Sequence, residues 1–163
     1  MKKSVAFLLA MFMLVLSGCA GESKKVVDYT VDVPTGFEEV ELEGTDACWM
    51  HSDSSSVNLI ITNKDKSFSK VTADALREGI EENFEAVYGV GVTITDRFFT
   101  NDEVSGMPAY QYSYELDLAG VKLTQLIVGV DADKTYTITY TDATGNWISD
   151  FENCAKNIQF VTE

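Results

Sequence analysis

The chain has 163 residues, with 26 acidic side chains against 12 basic ones and a formal net charge of −14 at pH 7. That length suits one domain with a proper core and is short for a two-lobed solute binder. The acidic balance argues against nucleic acid as a partner, because neutralising phosphates needs a basic face.

Lys2 and Lys3 precede twelve unbroken apolar residues, Val5 to Leu16, and the small residues Ser17 and Gly18 follow. This is the three-part layout of an export signal. The apolar run falls short of a membrane-spanning helix, which needs about 18 to 20 such residues. Leu16-Ser17-Gly18-Cys19 resembles the lipobox of bacterial lipoproteins. That resemblance implies a signal peptide over residues 1–18, thioether lipidation of the Cys19 thiol with palmitate-type chains, and residence on the extracytoplasmic face of the cell membrane. Each buried methylene contributes about 0.8 kcal/mol, so two or three chains hold the protein on the bilayer permanently. Both charges lost with the signal are lysines, which takes the formal charge to −16. Residues 19–26 read as a tether that reaches at most about 27 Å at ~3.4 Å per residue. Lys24 and Lys25 in it fit either contact with anionic headgroups or plain solvation.

Residues 27–163 read as one globular domain. Tyr29, Val31 and Val33 alternate with polar residues, Pro34-Thr35-Gly36 breaks the run, and Phe37 to Leu42, Ala47 to Ser52 and Val57 to Asn63 continue as strands. The period changes over Thr72 to Tyr88. Leu76, Ile80, Phe84 and Val87 make an apolar stripe opposite a charged face, with Thr72 as N-cap and Gly89 as exit. Further strands follow near Val92 to Phe98, Tyr110 to Leu118, Val121 to Val130 and Tyr136 to Tyr140. The Val121 run is apolar on both faces, as a central strand covered twice should be. Trp147, Ile148, Phe151, Cys154, Ala155 and Ile158 form the stripe of a closing helix.

Strands, helix, long antiparallel strands and a closing helix, with the opening phrase Tyr29-Thr-Val-Asp-Val-Pro-Thr-Gly-Phe37, resemble the PsbP-like fold. The expected class is α+β: a mostly antiparallel sheet flanked by two helices in an α/β/α sandwich. The resemblance implies kinship of shape with the extrinsic photosystem II subunit, the Mog-type Ran-binding proteins and bacterial lipoproteins of unknown role. It brings no catalytic residue with it.

Once Cys19 is lipidated, Cys48 and Cys154 are the remaining thiols, and both a disulfide and two buried cysteines fit them. A bridge closing roughly 100 residues would stabilise by about 4 to 5 kcal/mol on the chain-entropy model. No C-x-x-C spacing points to redox or zinc chemistry. The only histidine, His51, lies in a serine-rich stretch without Gly-x-Ser-x-Gly, so no catalytic residue and no metal site is assigned. Gly89-Val90-Gly91 follows a helix instead of opening one, and Asn63 to Asp74 lacks the glycine and glutamate of a calcium loop.

Tyr110, Tyr112 and Tyr114 stand on one strand face, either as a ligand-stacking ladder or as the rim of a sheet core. Trp49 and His51 share a phase and form a contact surface if Cys48 and Met50 point inward; the opposite phasing buries Trp49. The expected role is a non-enzymatic docking domain on the membrane surface, with the lipid bilayer engaged through Cys19 and another envelope protein as partner. The alternative is a small-ligand module or a weak Ca²⁺ site among Glu38, Glu39, Glu41, Glu43 and Asp46, or at Asp131 and Asp133. No other cofactor is expected.

Overall fold

A computed structural model describes residues 24–64, 68–89, 91–118 and 120–163. The Leu16–Cys19 motif and the proposed signal therefore lie outside the described residues.

Tight turns set the topology. Strands β5 (Thr93–Val104) and β6 (Met107–Leu118) meet at Ser105 and Gly106, whose φ values of +53° and +71° are the left-handed pair a two-residue hairpin demands. The next strands, β7 (Val121–Asp131) and β8 (Lys134–Asp142), complete a meander of four long strands. The chain's earlier strands add to the far side of β8: β4 (Ser56–Asn63), β3 (Ala47–Met50) and the two-residue β2 (Glu38–Glu39). The result is one antiparallel seven-stranded sheet in the order β2-β3-β4-β8-β7-β6-β5. A separate ribbon pairs β1 (Val26–Thr30) with β9 (Gln159–Thr162), the first and last strands of the described chain.

Alternation then sends side chains into two cores. Leu126, Val128 and Val130 of β7 join Tyr136, Ile138 and Tyr140 of β8 on one face, under helix α2 (Ile148–Lys156) with Phe151, Cys154 and Ala155. Leu123 and Ile127 join Tyr110, Tyr112, Tyr114 and Leu116 of β6 on the other, under α1 (Ala73–Tyr88) with Leu76, Ile80 and Phe84. β7 is thus apolar on both faces because both are covered, as its sequence requires. The α/β/α sandwich expected from the sequence is the observed architecture.

Helix ends follow their local chemistry. Thr72 Oγ1 accepts the Ala75 N–H at 3.2 Å, and Gly89, at φ +65°, donates its N–H to Glu85 O at 2.8 Å. One position departs from the expected stripe: Val87 is 54 % exposed, and Tyr88 packs on Phe84 instead. Among the described residues no helix is long and apolar enough to cross a membrane.

On the α1 side of β8 the sheet turns polar, with Ser56 and Asn58 of β4 beside Thr139 and Thr141. Gln125 Nε2 donates to Thr141 Oγ1 at 2.8 Å, and Tyr114 OH donates to Gln125 Oε1. The Asn58 amide, 2 % exposed, has no hydrogen-bond partner among the described residues on either its oxygen or its nitrogen.

Gly129 stands opposite Tyr110 in the β6–β7 pair, and the tyrosine ring lies across it. A Cβ there would meet Tyr110 Cε1 at 2.3 Å and Cζ at 2.5 Å. Gly129→Ala should therefore lower the unfolding free energy by about 1–3 kcal/mol, the usual cost of overpacking. Gly91→Ala, where a Cβ meets nothing within 4 Å, should leave it nearly unchanged. Urea titration of both variants checks this, and equal effects would show that the ring gives way freely.

Candidate functional site

Three loops meet at one end of the sheet: residues 34–37, residues 51–55 between β3 and β4, and residues 142–147 between β8 and α2. The short β3–β4 loop closes on itself, with His51 N–H donating to Ser55 O at 2.9 Å and Ser54 N–H to His51 O at 3.0 Å. This closure holds Ser54 at φ +77°, a left-handed conformation that costs a serine some strain.

His51 leaves β3 on the same face as Trp49, toward α2. Its ring centroid lies 4.8 Å from Trp147 and 5.4 Å from Phe37. Phe37 meets Trp147 edge-on at 5.0 Å and reaches the fully buried Phe151 at 5.7 Å, which roots the cluster in the core. Each such aromatic pair contributes about 0.5–1.5 kcal/mol beyond its buried area. His51, Phe37 and Trp147 remain half-buried, so their outer edges form an aromatic rim.

Asp53 ties this rim together. The Trp147 indole Nε1–H donates to its Oδ2 at 2.8 Å, His51 Nδ1 lies 3.0 Å from its Oδ1, and Ser55 N–H donates to Oδ1 at 2.9 Å. The Asp53 N–H also donates to His51 Nδ1, at 3.4 Å. Partial burial alone would raise the Asp53 carboxyl, but the hydrogen bonds from Trp147, Ser55 and His51 outweigh it and lower the group to about 2.

A second carboxylate presents Trp147 from below. Asp142, 1 % exposed, accepts from the N–H groups of Thr144 (2.9 Å) and Gly145 (2.8 Å) on Oδ1 and of Trp147 (2.7 Å) and Ile148 (3.1 Å) on Oδ2. It thereby caps the start of α2 and fixes the loop before it. Sequence patterning does not single out Asp142, and it places Trp147 in the apolar stripe of the closing helix, not at a site. The signal for Asp142 is its place two residues before Thr144-Gly145, the pattern of an Asx turn.

The rim holds rings in place; it does not assemble a nucleophile. Ser55 is fully buried with its Oγ accepting the Ala143 N–H at 3.1 Å, and among the described residues no hydroxyl or thiol is bonded to His51.

The other sequence candidates fall elsewhere. Tyr110, Tyr112 and Tyr114 are at most 7 % exposed, so the contact-surface reading of these three is corrected: α1 covers them. Burial, reinforced at Tyr112 by the hydrogen bond its hydroxyl gives Asp96 at 2.5 Å, pushes the phenols of Tyr112 and Tyr114 far up, so both stay neutral. Trp49 is half-buried against the α2-side core, the phasing that turns it away from Cys48.

Cys48 and Cys154 are both buried and free. Cys48 alternates with Ala47 and Trp49, which pack toward α2, whereas Cys154 sits on α2 itself, so the sheet separates the thiols and no bridge joins them. Burial pushes each up to about 11, helped at Cys154 by the Asp32 carboxylate. Neither thiol is therefore nucleophilic near neutrality.

Among the described residues no three His, Cys, Asp or Glu side chains gather to hold a metal ion. In the acidic stretch, Glu38 and Glu39 pair with Met50 and Trp49, and Asp46 Oδ2 accepts the Ile61 N–H at 2.7 Å. Asp131 lies 3.5 Å from Lys64, and Asp133 accepts the Val26 N–H at 3.2 Å.

With this geometry in place, comparison with solved structures defines the class. CyanoP, the cyanobacterial PsbP of Synechocystis sp. PCC 6803, is similar over 90 % of this chain and 99 % of its own, with a TM-score of 0.64 at 15 % identity. LpqN, described as involved in cell envelope biogenesis of Mycobacterium tuberculosis, is similar over 83 % of each chain, at TM-score 0.50 and 11 % identity. A Bacteroides thetaiotaomicron protein matches 87 % of this chain but 49 % of its own length, at TM-score 0.52 and 11 % identity. No protein-family model and no curated protein sequence matches. The chain has the PsbP-like fold, and at these identities the likeness is one of fold.

Because the folded value of about 2 for Asp53 lies below the ~3.9 of an unfolded aspartate, its ionised form favours the fold. That contribution is whole above pH ~4 and is lost as the pH falls through about 2. Between these limits the unfolding free energy of Asp53→Asn should fall less steeply than that of the parent. Parallel declines in urea titrations would show that Asp53 does not stabilise the rim.

Proposed function

We propose that this chain is an exported lipoprotein, held through Cys19 on the extracytoplasmic face of a membrane, whose PsbP-like domain docks on another envelope protein without performing catalysis. In this reading residues 1–18 are the signal, and the tether ends earlier than its sequence implies. Lys24 O accepts the Asp133 N–H at 3.1 Å, so the tether proposed over residues 19–26 already joins the fold at Lys24.

The aromatic rim carries the docking role. Binding hot spots concentrate in tryptophan and other large rigid side chains that are already ordered before association, since ordering them on contact costs affinity. Phe37, His51 and Trp147 meet both conditions, fixed by Asp53 and Asp142 while their edges reach solvent. The role LpqN carries in cell envelope biogenesis supports the same setting by fold likeness.

Small-ligand binding is a second reading, supported by the Asn58 amide, buried without a partner on the polar half of the sheet. A ligand that binds only the folded state raises its melting temperature, so Ca²⁺ or a metabolite panel should shift the melt if that reading holds.

Cys19→Ser should move the protein from the membrane fraction to the soluble one, read by fractionation and by loss of metabolic fatty-acid labelling. A photo-crosslinker at the exposed Ser52, beside the rim, should capture one reproducible partner in native membranes. Trp147→Ala should weaken that capture by about tenfold or more, the scale of a hot-spot truncation. Random neighbours at Ser52, or capture indifferent to Trp147, would remove the docking role.

A further inference from the structure

The β1–β9 ribbon carries a surface that the rim leaves unexplained. Val27, Tyr29 and Val161 are three of the five large apolar side chains that stand exposed among the described residues, and all lie on this ribbon. Phe160 is buried beneath it, and Tyr29 packs inward on Tyr136 and Phe160 at 5.9 and 6.2 Å. Alternation then turns Val161 outward. The register shifts between Val26 and Asp28, so Val27 is the extra residue of a bulge, and two residues of β1 oppose the single Val161. Val27 and Val161, 47 % and 56 % exposed, therefore form one outward apolar pair.

We infer that this pair is the membrane-facing side of the domain, resting on the boundary between headgroups and acyl chains of the bilayer. The inference rests on the Cys19 anchor proposed above. Four residues separate Cys19 from Lys24, the first described residue, which is bonded to the fold, and the five steps between them at ~3.4 Å each span at most about 17 Å. The ribbon holds the first described strand after Cys19.

Charge favours the same face. The mature chain carries −16, which anionic lipid repels, whereas around the ribbon Lys24, Lys25 and Lys134 stand against Asp28, Asp133 and Glu163, with Asp133 Oδ1 3.2 Å from Val26 N and Lys25 Nζ 2.9 Å from Glu163 Oε2. Because the lipid makes contact intramolecular, a small apolar patch suffices to set orientation.

The orientation has a consequence for the rim. Lys24 joins the sheet at Asp133, where β8 begins, while the rim lies beyond Ser56 and Thr141, which are paired near the other end of β8. With the ribbon on the bilayer, the rim points away from it toward a partner.

The test uses the full lipidated protein on vesicles of phosphatidylcholine and phosphatidylglycerol. An environment-sensitive fluorophore is placed at Val161→Cys or at Val121→Cys, and quenching by headgroup-bound nitroxide lipid is read. Cys48 and Cys154 are buried and leave the new thiol as the reactive one. Val121, 46 % exposed, begins β7, ten residues or about 34 Å along the strand from Asp131, and serves as the distant control.

Quenching at position 161 should exceed that at 121 several-fold, and Val27→Asp should bring it down toward the control level without moving the urea midpoint. Equal quenching at both positions, or quenching at 161 unchanged by Val27→Asp, would overturn the inference while leaving the anchor standing. Protection of 161 in native membranes but not in protein-free vesicles would assign the face to a protein and overturn it as well. Protein that fails to float with the vesicles would instead overturn the Cys19 reading on which it rests.

Discussion

Burial of one antiparallel sheet on both of its faces is the constraint on which the rest of this molecule depends. Because side chains alternate, the buried residues of β7 and β8 are each committed to one face of the sheet, and a one-residue slip would exchange them all. The α2-side core takes the aromatic and branched residues of β8, and the α1-side core takes the tyrosines of β6. The same rule keeps Cys48 and Cys154 apart with the sheet between them. It also leaves the threonines of β8 on the α1 side, where the polar half of the sheet begins.

At the rim, electrostatics replaces packing as the organising force. Asp142 is buried and Asp53 half-buried, and each is stabilised by donors drawn from the loop it holds. A carboxylate needs several hydrogen bonds to offset the loss of water, and here the loop backbone and the Trp147 indole supply them. The loops are consequently tied to one another by these bonds, and the rings they carry are held in one arrangement.

The termini of the described chain add a third element. Pairing β1 with β9 joins residues about 130 positions apart, so the start of the described chain is bound to its far end and to the start of β8. A lipid anchor attached there would act on the sheet through paired backbone instead of through a loose leader. The apolar pair on the ribbon and the aromatic rim then lie toward opposite ends of β8.

Local patterns were enough to read much of this. The stripe of Leu76, Ile80 and Phe84, the Thr72 and Gly89 caps, the double-sided apolar run of β7 and the alternation of Tyr136 to Tyr140 each report a period or a cap, which neighbouring residues determine among themselves. They suffice for an α+β sandwich, and the export layout with its cysteine rests on similarly local signs. What the sequence left open depends on partners distant in the chain. The β1–β9 pairing, the inward turn of the tyrosines beneath α1, the phase of Trp49 and the meeting of Phe37, His51, Asp53 and Trp147 all require knowing which elements cover which face. Periodicity gives each strand two sides but not the identity of what lies against them; only the assembled sheet, with one helix on each face, decides that.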